Sequence, residues 1–168
     1  MEKNSSIPYQ YLQESEGYFQ FTANNNVEYL VYFEKQIQEL FKSSYPNFSY
    51  YFFEFGFVPV DKTIEEIKNY PKDERIITTV VQILKEYFEH NQNAIIYNCL
   101  ANDGKQGVRS RYFDTIFQKV RQNEILKFNS VIGLENDVQY FQSLLIRKDN
   151  PDLEYLVEAF YSIVNILG

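Results

Sequence analysis

The chain has 168 residues, 45% of them hydrophobic and 23% charged, with a net charge of −7. That length suits one domain burying roughly 70% of the surface its unfolded chain exposes, and the composition excludes a disordered chain. Lys and Arg are scattered, with no run of four, so the basic stripe that nucleic-acid binding wants is missing, and the acidic balance repels anionic lipid surfaces.

Residues 1–16 are polar and irregular and read as a flexible arm before a single domain over 17–168. They hold no apolar core of signal-peptide length. YFQFTA (18–23) and VEYLVYF (27–33) then flank Asn24, Asn25 and Asn26. Asn tolerates left-handed backbone, so the pattern predicts a hairpin with a three-residue loop. Its core face carries Phe19, Phe21, Val27, Tyr29, Val31 and Phe33; the other face carries Tyr18, Gln20, Thr22, Glu28, Leu30 and Tyr32.

EKQIQELFKSS spaces Ile37, Leu40 and Phe41 as a short amphipathic helix or turn. SYYFFEFGFV (49–58) is a strong strand, with Tyr51, Phe53, Phe55 and Phe57 on one side and Tyr50, Phe52, Glu54, Gly56 and Val58 on the other. It is interrupted by Glu54 and Gly56 and too short to span a bilayer. Asp61 or Thr63 starts a short helix, and Asp73 is the N-cap of a longer one reaching about Glu89.

AIIYNCL (94–100) reads as a short central strand. NDGKQGVRSR leads from it into a helix ending near Arg121, and ILKFNSVIG (125–133) follows as a strand. VQYFQSLLIRK (138–148) reads as its hairpin partner, although Val138, Phe141 and Leu145 also fit a helix. Asn150 caps and Pro151 opens the last helix. Strands and helices mix without regular βαβ alternation. The expected class is α+β, a single mixed and mainly antiparallel sheet of five or six strands with about four helices packed on it.

The residues allow little chemistry. His90 is the one histidine, at a predicted helix end where its charge is favourable. Cys99 is the one cysteine, so it forms no intrachain disulfide, and it reads as an inert core thiol in a cytoplasmic protein. A structural zinc site lacks its ligands. GxSxG, GxGxxG and GxxxxGK[ST] are all missing, and nothing calls for a cofactor.

Two features carry what functional signal there is. In the loop after 94–100, helical phase places Arg109 inside the apolar face of Val108, Tyr112, Phe113, Ile116, Phe117 and Val120, and Arg111 toward solvent. An unpaired buried guanidinium is prohibitive, so Arg109 needs Asp103 or Glu54 as a counter-charge, or an anionic ligand held with Lys105 and the first-turn N–H groups. The second feature is the outer sheet face. Tyr18, Leu30, Tyr32, Tyr50 and Phe52 form an aromatic patch there unless the EKQIQELF segment or the last helix covers them, and such patches are typical of protein interfaces.

The order of KDERIITTVVQILKEYF, IIYNCLANDGKQGVRSRYF and SLLIRKDNP before an EAF-containing helix resembles a family of small bacterial proteins of unknown function from Bacteroidetes-like genomes. The resemblance runs from about Tyr18 onward and implies a small bacterial cytosolic protein with no established catalytic residues. The expected function is a non-catalytic interaction module, partner-binding or antitoxin- or immunity-like, with a protein partner or a second copy. The alternative is a binder of, or enzyme acting on, a small phosphate or carboxylate ligand at the Asp103–Arg109 loop.

Overall fold

Alternation shapes the first half of the sheet. β2 (Tyr18–Thr22) and β3 (Glu28–Glu34) pair antiparallel in the register Phe21↔Tyr29 and Phe19↔Val31. Every residue assigned to their core face is buried. Asn26 takes the positive φ of 64° that closes the turn, and Ala23 N–H donates to Val27 O at 3.0 Å. The computed structural model describes residues 7–67, 70–71, 73–90, 92–99, 115–119, 124–133 and 139–167.

Among the described residues the sheet has seven strands, in the order β1-β2-β3-β4-β5-β7-β6. The seventh beyond the expected five or six is β1 (Tyr11–Ser15), from the segment read as a loose arm. It is an edge strand with four of its five residues exposed, so it carries almost no burial pattern to read. Gly17 joins it to β2 at φ +82°, a conformation that favours glycine.

β4 (Phe52–Pro59) pairs antiparallel with β3, and β5 (Ala94–Cys99) lies parallel to β4. A parallel pair needs a crossover, and α1 (Ile64–Ile67) and α2 (Glu74–Tyr87) supply it. Thr63 and Glu66 form a reciprocal capping box at α1: Thr63 N–H donates to Glu66 Oε2 at 2.7 Å, and Glu66 N–H to Thr63 Oγ1 at 3.1 Å. Asp73 caps α2 by accepting from Arg75 N–H at 3.0 Å. The apolar side of α2, with Ile77, Val80, Ile83 and Leu84, packs on the Phe19–Phe21–Tyr29–Val31–Phe33 face. The chain before β1 is tied to the same helix. Tyr9 N–H donates to Thr79 Oγ1 at 2.8 Å, and the Arg75 guanidinium lies 3.9 Å over the Tyr9 ring.

Residues 115–119 are helical (α3), and Ile116 and Phe117 join that same core. β6 (Ile125–Gly133) and β7 (Gln139–Arg147) form an antiparallel hairpin, which settles the second segment as a strand, and β7 inserts between β6 and β5. Asn150 Oδ1 accepts from Asp152 N–H at 2.8 Å ahead of α4 (Leu153–Leu167). α4 lays Leu156, Ala159, Phe160 and Ile163 on the second face of the sheet, against Phe52, Ala94, Ile96, Leu144 and Ile146. The 36–41 segment, a 3-10 turn over Gln36–Leu40, adds Ile37 and Phe41 to this second core.

The result is a sheet covered unequally. β5, β7 and the start of β4 have a core on both faces. Among the described residues, β1, β2 and β3 have one on a single face.

Candidate functional site

Of the four residues proposed to hold an anion, Asp103, Lys105 and Arg109 lie outside the described residues, as does Arg111. Glu54 is described and sits half-buried on β4. The side chain of Cys99, at the end of β5, is also outside them.

Glu54 lies where two strands separate. β4 and β5 pair through Phe52↔Ala94, Phe53↔Ile95 and Glu54↔Ile96. Beyond that, β4 pairs with β3 as far as Pro59, while β5 pairs with β7 as far as Cys99. Side chains bridge the mouth of this split. Asn98 Nδ2 donates to Glu54 Oε1 at 3.1 Å, and Gln142 Nε2 donates to Asn98 Oδ1 at 2.8 Å. A polar line therefore crosses three strands. Gln142 is only 5% exposed, and its Oε1 is buried with no hydrogen-bond partner. A buried acceptor left unmatched costs roughly 1–3 kcal/mol.

The line continues onto β3. Glu34 is directly opposite Glu54, and like charges in that position repel. Tyr18 Oη donates to Glu34 Oε1 at 3.2 Å. Tyr32 is opposite both Tyr18 and Gly56, and its ring lies over Gly56 so closely that a Cβ there would sit 1.9 Å from Cζ. Burial, then the neighbouring Glu54, Glu34 and Tyr18, hold the Tyr32 hydroxyl above its usual pKa. Desolvation and Glu34 act on Tyr18 in the same direction. Among the described residues no Lys or Arg pairs with Glu34 or Glu54.

The five aromatic-patch residues divide. Tyr18, Leu30 and Tyr32 are half-buried and lie side by side across β2 and β3. Phe52 does not belong with them: it is 0% exposed, its ring stacked 3.8 Å from Phe41 under α4. Both elements that could cover the face do so here, but their cover stops at Phe52. Tyr50 is exposed but falls in a 3-10 turn (Ser49–Tyr51) before β4, beside Tyr51 rather than Tyr32. The exposed area is extended instead by Leu12, Val58 and Val60, none of them counted in the expected patch. Leu12, Gln20, Leu30 and Val58 form one cross-strand row, in which Leu12 is 72% and Val58 38% exposed. Val60, hydrogen-bonded to Glu28, is 46% exposed beside it. Among the described residues of β2–β4, the charged side chains on this face are Glu28, Glu34 and Glu54, all acidic.

Asn98 and Gln142 were also not singled out from sequence. The available signal was Asn98 closing the apolar run AIIY and Gln142 standing just before the run LLI. His90 is exposed just past α2. Among the described residues, no group of three or more His, Cys, Asp or Glu is placed to hold a metal ion, and no helix is long and apolar enough to cross a membrane.

The model of a family of unknown function (DUF6169) matches residues 72–162, more than half of the chain, and the chain belongs to that family. The match begins just before α2 and ends within α4. No curated protein and no solved structure matches.

Proposed function

We propose that this member of the DUF6169 family is a non-catalytic partner-binding module of the bacterial cytosol, and that it binds through the outer face of β1–β4. One observation supports the reading: among the described residues the sheet is sandwiched over β5 and β7, whereas on the outer face of β1–β4 Leu12, Val58 and Val60 are exposed and Tyr18, Leu30 and Tyr32 only half-buried. Apolar residues gathered on one open sheet face, with polar groups around them, are the usual anatomy of an interface. A heterologous protein fits better than a second copy. In a symmetric face-to-face pair both surfaces would carry Glu28, Glu34 and Glu54, and bringing like-charged faces together costs several kcal/mol. An antitoxin- or immunity-like protein, which works by covering another protein, is a role of this kind. The small-anion alternative draws only Glu54 from the described residues, and Glu54 there accepts from Asn98.

Affinity capture from host lysate, with the native chain and with Leu12→Asp/Val58→Asp as parallel baits, tests this. A protein retained by the first and lost by the second is expected. Sedimentation should show both baits folded and at the same oligomeric state. Equal retention by both overturns the reading.

A further inference from the structure

We propose that residues 7–15 form a releasable strap: clasped to α2 through Tyr9 and Tyr11, they come away as one unit while the rest of the fold stays closed. The release itself is independent of the partner-binding reading above; its consequence for the outer face rests on that reading.

Burial marks the unit. Of residues 7–15, Tyr9 alone is buried, Pro8 and Tyr11 are half-buried, and the others are exposed. Ordering a backbone costs conformational entropy at every residue, and exposed residues return little of it. A segment with few buried apolar contacts therefore opens at the low end of a protein's range of local stabilities. Strand pairing adds little here, because β1 is an edge strand whose only ladder, to β2, slips between Gln13 and Ser15.

The strap is held by clasps at the two ends of α2. At the first end the Arg75 guanidinium lies 3.9 Å over the Tyr9 ring, and the nearly parallel Phe21 ring is 6.0 Å away. The Tyr9 hydroxyl donates to Asp73 Oδ2 and accepts from Asn24 N–H at 3.2 Å. Tyr9 N–H donates to Thr79 Oγ1 at 2.8 Å, and Arg75 Nε donates to Ile7 O at 3.0 Å. At the other end Tyr11 Oη donates to Glu86 Oε1.

What remains after release is already complete without the strap. Tyr9 uses Asp73 Oδ2, whereas the capping bond of α2 is accepted by Asp73 Oδ1, so the helix keeps its cap when the tyrosine leaves. β2 keeps its pairing with β3 from Tyr18 to Thr22. At the root of the strap Phe33 N–H donates to Gly17 O at 2.8 Å, which ties the turn to β3 and stops the peeling there. Opening withdraws Leu12 from the row it shares with Gln20, Leu30 and Val58. The strap thus sets whether the outer face presents that row across four strands or three.

Native-state hydrogen exchange on the full chain, in steps of low urea, tests this. The amides of Tyr9 and β1 are expected to exchange through an opening that urea barely accelerates, while those of β5 and β7 accelerate steeply. Tyr9→Phe/Tyr11→Phe removes the clasping hydroxyls, keeps the rings, and should speed strap exchange about tenfold or more. Ile146→Val, in the core under α4, should speed β5 and β7 by about two- to tenfold and the strap by less than about twofold. If Ile146→Val speeds the strap as much as β5, the strap opens only with the whole fold and the proposal falls. It also falls if strap amides share the steep urea dependence, or if the double Phe variant leaves them unchanged. Opening of β2 together with β1 would place the boundary beyond Gly17 and overturn it as well. If the strap exchanges as expected while Leu12→Asp/Val58→Asp retains every protein that the native bait captures, the strap stands and the partner face is wrong.

Discussion

β5 reads AIIYNC and β3 reads EYLVYFE, and only β4 separates them in the sheet. Ala94 through Tyr97 are all buried because α2 packs on one side of β5 and α4 on the other. In β3 burial alternates residue by residue, because among the described residues a core cluster forms on one of its faces and leaves Leu30 and Tyr32 half-buried on the other. The two strands show that the hydrophobic pattern records how many faces of a strand are covered, not how central it is. β4 carries both regimes along its length: Phe52 at its start is sandwiched, and Val58 near its end is open.

The contrast can be broken most sharply at β4. Phe52→Ala opens a cavity between Phe41 and α4, and urea unfolding should show a loss of about 3–5 kcal/mol. Val58→Ala, six residues along the same strand, should stay within about 0.5 kcal/mol. A comparable loss at both positions would mean that the outer face of β1–β4 is covered after all.

Alkaline titration sharpens the comparison on the α2 side. Burial raises the hydroxyl pKa of Tyr29 and Tyr87 above the usual 10.0. A raised folded-state pKa gives stability that is complete below the unfolded value and is lost as pH climbs toward the folded one. Melting temperature should therefore hold to about pH 10 and fall above it. Tyr87→Phe keeps the 3.7 Å stack on Phe33 and should make that fall shallower.

Gly17→Ala tests whether the open half tolerates change everywhere. A Cβ at φ +82° would lie 2.6 Å from Phe33 O, so a cost of roughly 1–3 kcal/mol is expected in the same unfolding assay. The smallest effect has the opposite sign. Glu34→Gln relieves the repulsion with Glu54 and should stabilise the free protein by about 0.2–1 kcal/mol. A destabilised Glu34→Gln would show that the Tyr18 hydrogen bond outweighs the repulsion, and that these carboxylates serve the fold.

Local patterns made much of this fold legible. Alternation and three asparagines announced the β2–β3 hairpin with its faces, Asp73 and Asn150 announced their helices, and ILKFNSVIG has the bounds of β6. VQYFQSLLIRK was ambiguous because its apolar residues fit both periods; pairing along β6 and β5 decided it. β1 was missed because an edge strand with four of its five residues exposed has little to bury. Parity put Phe52 on the correct face of β4, but the place where α4 and Phe41 stop covering that face is a tertiary fact with no local signature. The Glu54–Asn98–Gln142 line was illegible for a related reason. It joins residues 44 apart in sequence at each of its two steps, and only the strand order brings them together.

The irregularity in β1 has a bearing on solubility. A bare sheet face that ends in an open edge invites a second sheet to dock strand to strand, and a chain with 30 Phe and Tyr residues is exposed to that hazard (15 of each). Pairing of β1 with β2 slips between Gln13 and Ser15, and Glu14 falls at the slip. Glu16, paired at 3.2 Å with Lys35, follows at the strand's end. A bulged, charged border cannot offer the long flat ladder that fibril growth copies. The exposed Leu12 and Val58 row therefore ends at an outermost strand that is a poor template.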